Sequence, residues 1–193
     1  MRIFRLPPGW HRDHSLEDVS RLRRLVFPSW PYFYEPDVVY EGKYLLELAE
    51  SDGTIVIALD RSRVVGASTA LPLLQAHREF REPMADAGHD PAEWYYLAES
   101  LLYEQYRGQG IGVRFFEERE AAARENGFAA CCFCAVVRDP DDPRRPEGYV
   151  PLDGFWRRRG YAPLDGVTAT FHWPEVGGTG EVAHTMQFWA KRL

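Results

Sequence analysis

The sequence is short of cysteine, of histidines in ligand spacing, of basic excess and of long apolar runs, and each shortage removes a class of protein. Its three cysteines, Cys131, Cys132 and Cys134, crowd into one apolar stretch. That excludes a disulfide framework and fits three reduced, buried thiols, for which a cytoplasmic setting is expected. The six histidines are scattered, so no metal site is expected. Lys and Arg number 23 against 29 Asp and Glu, a formal net charge of -6. This argues against nucleic acid as a partner and mildly favours a cationic one. The longest apolar run, residues 128–137, is too short to cross a bilayer. The opening MRIFRLPPGW carries Arg2, Arg5, Pro7 and Pro8 where a secretory leader would be continuously apolar. Neither a targeting segment nor a membrane segment is therefore expected.

What is present describes a globular domain. Hydrophobic residues make up 45% and charged ones 27% of 193 residues, enough to bury a core without staples, and one domain over residues 1–193 is expected. Residues 3–6 read as a short strand stopped by Pro7, Pro8 and Gly9. Ser15, with Asp18 three residues on, fits the N-cap of a helix in which Val19, Leu22, Leu25 and Val26 recur at helical spacing until Pro28. Residues 27–40 hold Phe27, Trp30, Tyr32, Phe33, Tyr34 and Tyr40 among prolines, too many rings for a spacer. A second helix from near Asp37 carries Val38, Leu45, Leu48 and Ala49 and ends before Gly53.

Residues 54–59 and 63–71 are rich in β-branched side chains and predict a short hairpin. Residues 75–91 form a polar excursion with no assigned structure. Residues 94–103 predict a strand, 112–126 a helix stopped by Gly127, and 128–137 a buried strand. Together these make a βαβ unit with parallel strands. A proline-rich loop, 139–151, leads to a short helix over 152–159 closed by Gly160, and residues 167–173 and 184–190 predict a final antiparallel pair.

Gly108, Gly110 and Gly112 lie between the first strand of that unit and its helix. Glycines there let backbone N–H groups approach an anion without Cβ interference, and the helix dipole adds attraction. A diphosphate is the expected guest. A Walker A loop needs Gly-Lys-Ser/Thr, whereas this one ends Gly112-Val113-Arg114. A dinucleotide fingerprint needs its third glycine where Val113 stands, and an acidic residue where this chain has an apolar strand.

Arg107-x-x-Gly110-x-Gly112 after a strand resembles the Arg/Gln-x-x-Gly-x-Gly/Ala signature of the GNAT N-acetyltransferases. The element order resembles that family over nearly the whole chain. The resemblance implies an α/β (α+β) fold with a central mixed, mostly antiparallel sheet of six to seven strands. Helices would flank it, and a parallel pair would splay at the cofactor site. It implies that the amides of Gly108, Gln109, Gly110, Ile111, Gly112 and Val113, with Arg107, bind the pyrophosphate of acetyl-CoA, and that Ser100, Leu101 and Leu102 pair with the pantetheine arm.

The implied activity is acyl transfer to a primary amine of a small molecule or peptide, by direct attack in a ternary complex. Such a reaction requires a base, an oxyanion donor and a proton for the thiolate. Glu99 is the candidate base, with Glu104 behind it, and the Leu102 amide the oxyanion donor. Trp156 stands where the family's proton-donating tyrosine is expected, and indole cannot give up its proton near neutral pH. Tyr149 and Tyr161 are the substitutes, beside water, although Tyr161 reads more readily as a ring packed under the sheet. Cys131, Cys132 and Cys134 have no nearby histidine to activate them and read as core.

By the same resemblance Trp30, Tyr32 and Tyr34 line an acceptor site for a partly apolar amine, or else simply cover the sheet. Arg138, Arg144, Arg145, Arg157, Arg158 and Arg159 are candidates for the 3′-phosphate of coenzyme A, for an acidic acceptor, or for a solvated face. A homodimer is compatible with the sequence. The alternative from another class is a non-catalytic acyl-CoA-binding sensor, which Trp156 encourages.

Overall fold

Three segments rich in β-branched and aromatic residues, β2 (Thr54–Asp60), β3 (Arg63–Pro72) and β4 (Trp94–Leu102), form the middle of a mixed sheet. The computed structural model describes residues 1–7 and 10–193, with the backbone alone at 10–14, 38 and 40. β1 (Arg2–Arg5), β5 (Ala130–Val136), β6 (Ala162–Pro174) and β7 (Glu181–Arg192) complete a seven-stranded sheet of order β1-β2-β3-β4-β5-β7-β6. Among the described residues only β4 and β5 run parallel. α4 (Ile111–Glu125) is the crossover between them that a parallel pair requires.

α1 (Trp10–Val26), α2 (Val38–Glu50) and α3 (Arg78–Asp86) cover one face of the sheet. Val19 and Leu22 of α1, with Leu45 and Leu48 of α2, pack on Ile55, Ile57, Ala67 and Leu101. Leu22 is fully buried, so truncating it to alanine costs about 2–5 kcal/mol. Phe80 and Met84 of α3 pack on Tyr96, Cys132 and Phe188. α4 and α5 (Asp153–Arg158) cover the other face. There Phe116, Ala122 and Ala123 meet Tyr95, Leu97 and Cys131, while Ile111 and Phe115 meet Val56 and Val65.

Three sequence expectations need correction. Helix α1 starts at Trp10, so Ser15 lies inside it and is not its N-cap; the polar residues before Leu16 carry no apolar period to announce the helix. The stop assigned to Pro8 and Gly9 lies outside the described residues. The excursion over 75–91 contains α3, a helix interrupted by Pro83. Strand β5 begins at Ala130 because Gly127, at φ 79°, and Phe128 close α4: their amides donate to the carbonyls of Arg124 (3.0 Å) and Ala123 (2.9 Å).

A register shift in β4 decides what faces the site. Leu71 pairs with Tyr96 and Thr69 with Glu99, so β4 carries one residue more than β3 between these points. Side chains alternate along a strand, and an extra residue reverses the faces beyond it. Tyr96 and Ala98 pack on the α3 side, and Glu99 then joins them there, while Ser100 turns towards α4. Arg119 of α4 holds this bulge from beneath, with its Nη1 3.0 Å from the Glu99 carbonyl and 3.3 Å from that of Thr69, and its Nη2 3.0 Å from Ser100 Oγ.

Candidate active site

β4 and β5 pair only at Trp94–Ala130, Tyr95–Cys131 and Tyr96–Cys132. Beyond that point β4 stays with β3 and β5 stays with β7 as far as Val136, so a slot opens between two strands that began side by side. Strand amides point alternately to either side. The Tyr103 amide donates to Val65 of β3 at 3.1 Å, which turns the Leu102 amide towards the slot.

β4 runs straight into the glycine loop. Gly108 (φ 72°) and Gly110 (φ 79°) adopt left-handed angles that other residues reach only with strain, and a Cβ at either would meet nothing within 4 Å. Glycine is needed for the backbone angle, and the space in front of the loop is open. Gly110 caps α4, and its carbonyl accepts from the amides of Val113 (3.0 Å) and Arg114 (3.2 Å). The Val113 amide is therefore already committed, contrary to expectation. Among the described residues no backbone carbonyl takes the amides of Gly108, Gln109, Gly110, Ile111 or Gly112. Five successive N–H groups at a helix N-terminus fit the diphosphate of coenzyme A. Arg107 and Gln109 are exposed beside them. Gly112 has a different duty, since a Cβ there would lie 3.4 Å from the Phe155 ring. It lets α4 approach α5.

On the opposite face, next to the slot, a cleft of about 320 Å³ opens between α2, α3, the aromatic segment after α1, and β6. Tyr32, Tyr34 and Glu99 all line it. Glu99 is buried and ion-paired with Arg23 of α1, whose guanidinium also holds Glu41 at 2.5 and 2.9 Å. Tyr34 donates to Glu41 at 2.9 Å. Burial raises the Glu99 carboxyl above the usual range, and Arg23 and Tyr44 pull it back. Its Oε1 is taken by Arg23, but Oε2 is buried and accepts no hydrogen bond of normal geometry. Glu104 stays outside, exposed in the turn after β4.

The aromatic segment is clasped in place by main-chain contacts. Arg138 donates to the carbonyls of Pro31 (2.6 Å) and Tyr32 (2.9 Å) and to Glu175 (2.6 Å), and Trp173 Nε1 donates to the Tyr32 carbonyl at 3.0 Å. Arg144 also reaches Glu175, at 2.5 Å. These arginines hold the clasp together and are not set out for a phosphate. Arg157 lies over Trp189 and Arg159 over Phe155. Trp30 does not line the cleft; its ring meets Phe33 and Tyr149 edge-on at 5.7 and 5.8 Å.

The two candidate proton donors separate. Tyr161 lies on the α4 face, buried, donating to Glu120 at 3.0 Å among Phe116 and Phe133. It is a core residue on the wrong side of the sheet. Trp156 joins the same cluster, 5.1 Å from Phe133 and 5.0 Å from Trp189. Tyr149 stands nearer the site. Burial lifts its hydroxyl, and the field of Arg107 reaches it. Burial likewise raises Tyr32, with Cys134, Glu99 and Tyr149 adding to the rise, and of these Tyr32, Cys134 and Glu99 line the cleft. Cys131, Cys132 and Cys134 are free and buried, and burial pushes Cys131 up to about 12, which leaves no nucleophilic thiolate near neutrality.

Arg23, Glu41 and Arg119 escape sequence reasoning. Each is a charged residue buried at 6%, 3% and 1% exposure respectively, and nothing in a helical pattern separates them from solvated neighbours. Among the described residues no group of His, Cys, Asp or Glu could hold a metal, and no helix is long and apolar enough to cross a membrane.

The model of the acetyltransferase (GNAT) family matches residues 19–146. None of the curated proteins compared with the chain matches it in sequence. Solved structures align over its length. An aminoglycoside 6'-N-acetyltransferase complexed with coenzyme A is 15% identical and covers 100% of this chain and 97% of its own, with a TM-score of 0.63. A ribosomal-protein-alanine N-acetyltransferase from Brucella melitensis is 15% identical with 100% of both chains covered and a TM-score of 0.63. The Drosophila melanogaster polyamine N-acetyltransferase, which catalyses formation of N-acetylagmatine, is 14% identical with 100% of both chains covered and a TM-score of 0.63. At such identities the likeness shows the fold.

Proposed function

The chain belongs to the acetyltransferase (GNAT) family, and from that premise we propose that residues 1–193 act as one unit, passing an acyl group from acetyl-CoA to a primary amine held above Glu99. Acetyl-CoA supplies the thioester that the amine attacks. The amides of Gly108, Gln109, Gly110, Ile111 and Gly112, with Arg107, hold the diphosphate at the start of α4. The edge of β4 at Ser100, Leu101 and Leu102 orients the pantetheine arm through backbone groups, because the Ser100 side chain is engaged with Arg119. Glu99 takes the proton from the incoming ammonium through its open Oε2, and the Leu102 amide steadies negative charge on the reacting oxygen. Tyr149, whose hydroxyl burial keeps protonated, gives its proton to the departing sulfur and regains one from the nitrogen, which sheds its second proton as the amide forms.

One observation carries this reading. The same strand leaves its parallel neighbour after Tyr96, turns Glu99 into the cleft through its bulge, and ends in the glycine loop. Three free buried thiols favour a reducing, cytoplasmic setting. The test is thiol release from acetyl-CoA by purified protein with a panel of amines. Release that depends on the amine, and that falls at least ~100-fold in Glu99→Gln, supports the assignment. Tight coenzyme binding without turnover on any amine would point to an acyl-CoA sensor instead.

A further inference from the structure

Among the carboxylates that line the cleft, Glu99 is the buried one, and His77, Tyr32, Tyr44 and Tyr96 add polar atoms to the lining. Arg23 satisfies both carboxylate oxygens of Glu41 and one of Glu99, leaving Glu99 Oε2 without a hydrogen bond of normal geometry, with the Tyr44 hydroxyl beside the carboxylate, although Glu99 is only 8% exposed. A buried acceptor without a donor is costly, and a donor that reaches it is favoured accordingly.

The wall above it is a run of rings. Phe80 stacks on Tyr96 at 4.8 Å and 27° and on Phe171 at 5.3 Å and 7°, and Phe171 adjoins Trp173 at 6.3 Å. A second ammonium carried along Phe80 and Tyr96 would lose its hydration with no further buried carboxylate of the lining to receive it. Carboxylates return at the mouth, where Asp37, Glu47 and Glu181 line the entrance. They draw a cation towards the cleft without pairing it deep inside. The volume, about 320 Å³, lies at the low end for small-molecule sites. It suits one ring and a short chain.

Building on the acetyltransferase reading, we infer that the acceptor is a primary monoamine whose carbon skeleton is a single flat aromatic or similarly apolar group: an arylalkylamine, in preference to a polyamine or an aminoglycoside. The amine meets Glu99 Oε2, and its ring lies along Phe80, Tyr96 and Phe171.

The test compares 2-phenylethylamine with spermidine and kanamycin as acceptors, beside calorimetric titration of each amine into the protein and of acetyl-CoA alone. The expected result is a kcat/KM for 2-phenylethylamine roughly 100-fold above both polycations. Phe171→Ala and Phe80→Ala should each lower it about tenfold with acetyl-CoA affinity unchanged. Equal or reversed preference, in turnover or in binding, overturns the inference and leaves the acetyltransferase reading standing. Selective binding of 2-phenylethylamine, with acetyl-CoA bound and no thiol released from any amine, overturns the acetyltransferase reading while supporting the aromatic monoamine as the ligand class.

Discussion

The guanidinium of Arg119 donates to the backbone carbonyl of Glu99 at 3.0 Å from the face of the sheet opposite the Glu99 carboxylate. One helix thus fixes, through the backbone, the direction of a side chain it never touches. Arg119 is fully enclosed, and burial lowers it to about 10, so it remains charged at neutral pH. Replacing it with Met takes one donor from each of the carbonyls of Thr69 and Glu99, the latter keeping Ser68 Oγ at 2.9 Å. The expected loss is about 2–4 kcal/mol in urea unfolding, with kcat falling more than the KM for acetyl-CoA. Unchanged stability and kcat would show that the bulge holds itself.

Arg23 faces Glu99 from the other side. Arg23→Met strands two buried carboxylates, and about 3–5 kcal/mol of stability should be lost. Arg23→Lys should recover part of it, since one ammonium cannot serve both Glu41 and Glu99 in the arginine's forked geometry. Equal stability of the two variants would contradict the bridging role.

The acid limb of the pH profile follows from the same pair. A base acts only when deprotonated, and burial raises the Glu99 carboxyl. Activity should therefore fall on acidification at a pH above the ordinary glutamate value of about 4.3. Loosening the Arg23 contact with Glu99 moves that limb further up, which Arg23→Lys can reveal if it folds. A limb at the ordinary carboxylate value, unmoved by Arg23→Lys, would assign it to another group.

Gly110→Ala places a Cβ at φ 79° and should cost about 1–2 kcal/mol. Because the strain falls on the loop, the KM for acetyl-CoA should rise while the acceptor KM holds. Isothermal titration with coenzyme A measures the binding term directly.

The two tyrosines should part company. Tyr149→Phe should reduce kcat with little change in thermal midpoint. Tyr161→Phe removes the hydrogen bond to Glu120 and should cost about 1.5–3 kcal/mol of stability, leaving kcat of the folded enzyme near wild type. The reverse pattern would return the catalytic role to Tyr161.

Much of this molecule is legible in order. The glycine loop is local chemistry: left-handed angles demand glycine at Gly108 and Gly110, and those residues stand out wherever the chain goes. The parallel pair follows from a helix set between two apolar strands, since a crossover of that length allows little else. The aromatic segment announces that it must pack, but not against what, and so the sequence does not separate Trp30 from Tyr32 and Tyr34, although of the three the latter two reach the cleft.

What the linear order determined was the proposed coenzyme site, because every group assigned to it lies within one stretch of chain. What the tertiary structure alone decided was the chemistry beside it. Strict alternation along β4 would leave Glu99 with Tyr95 and Leu97 on the α4 face, and one extra residue sets it with Tyr96 and Ala98 above the cleft. Arg23, from a helix 76 residues earlier, then takes one of its oxygens and leaves the other open. A side chain's face depends on strand register, and its charge depends on the neighbours it is buried with; both are settled by distant parts of the chain when they come together.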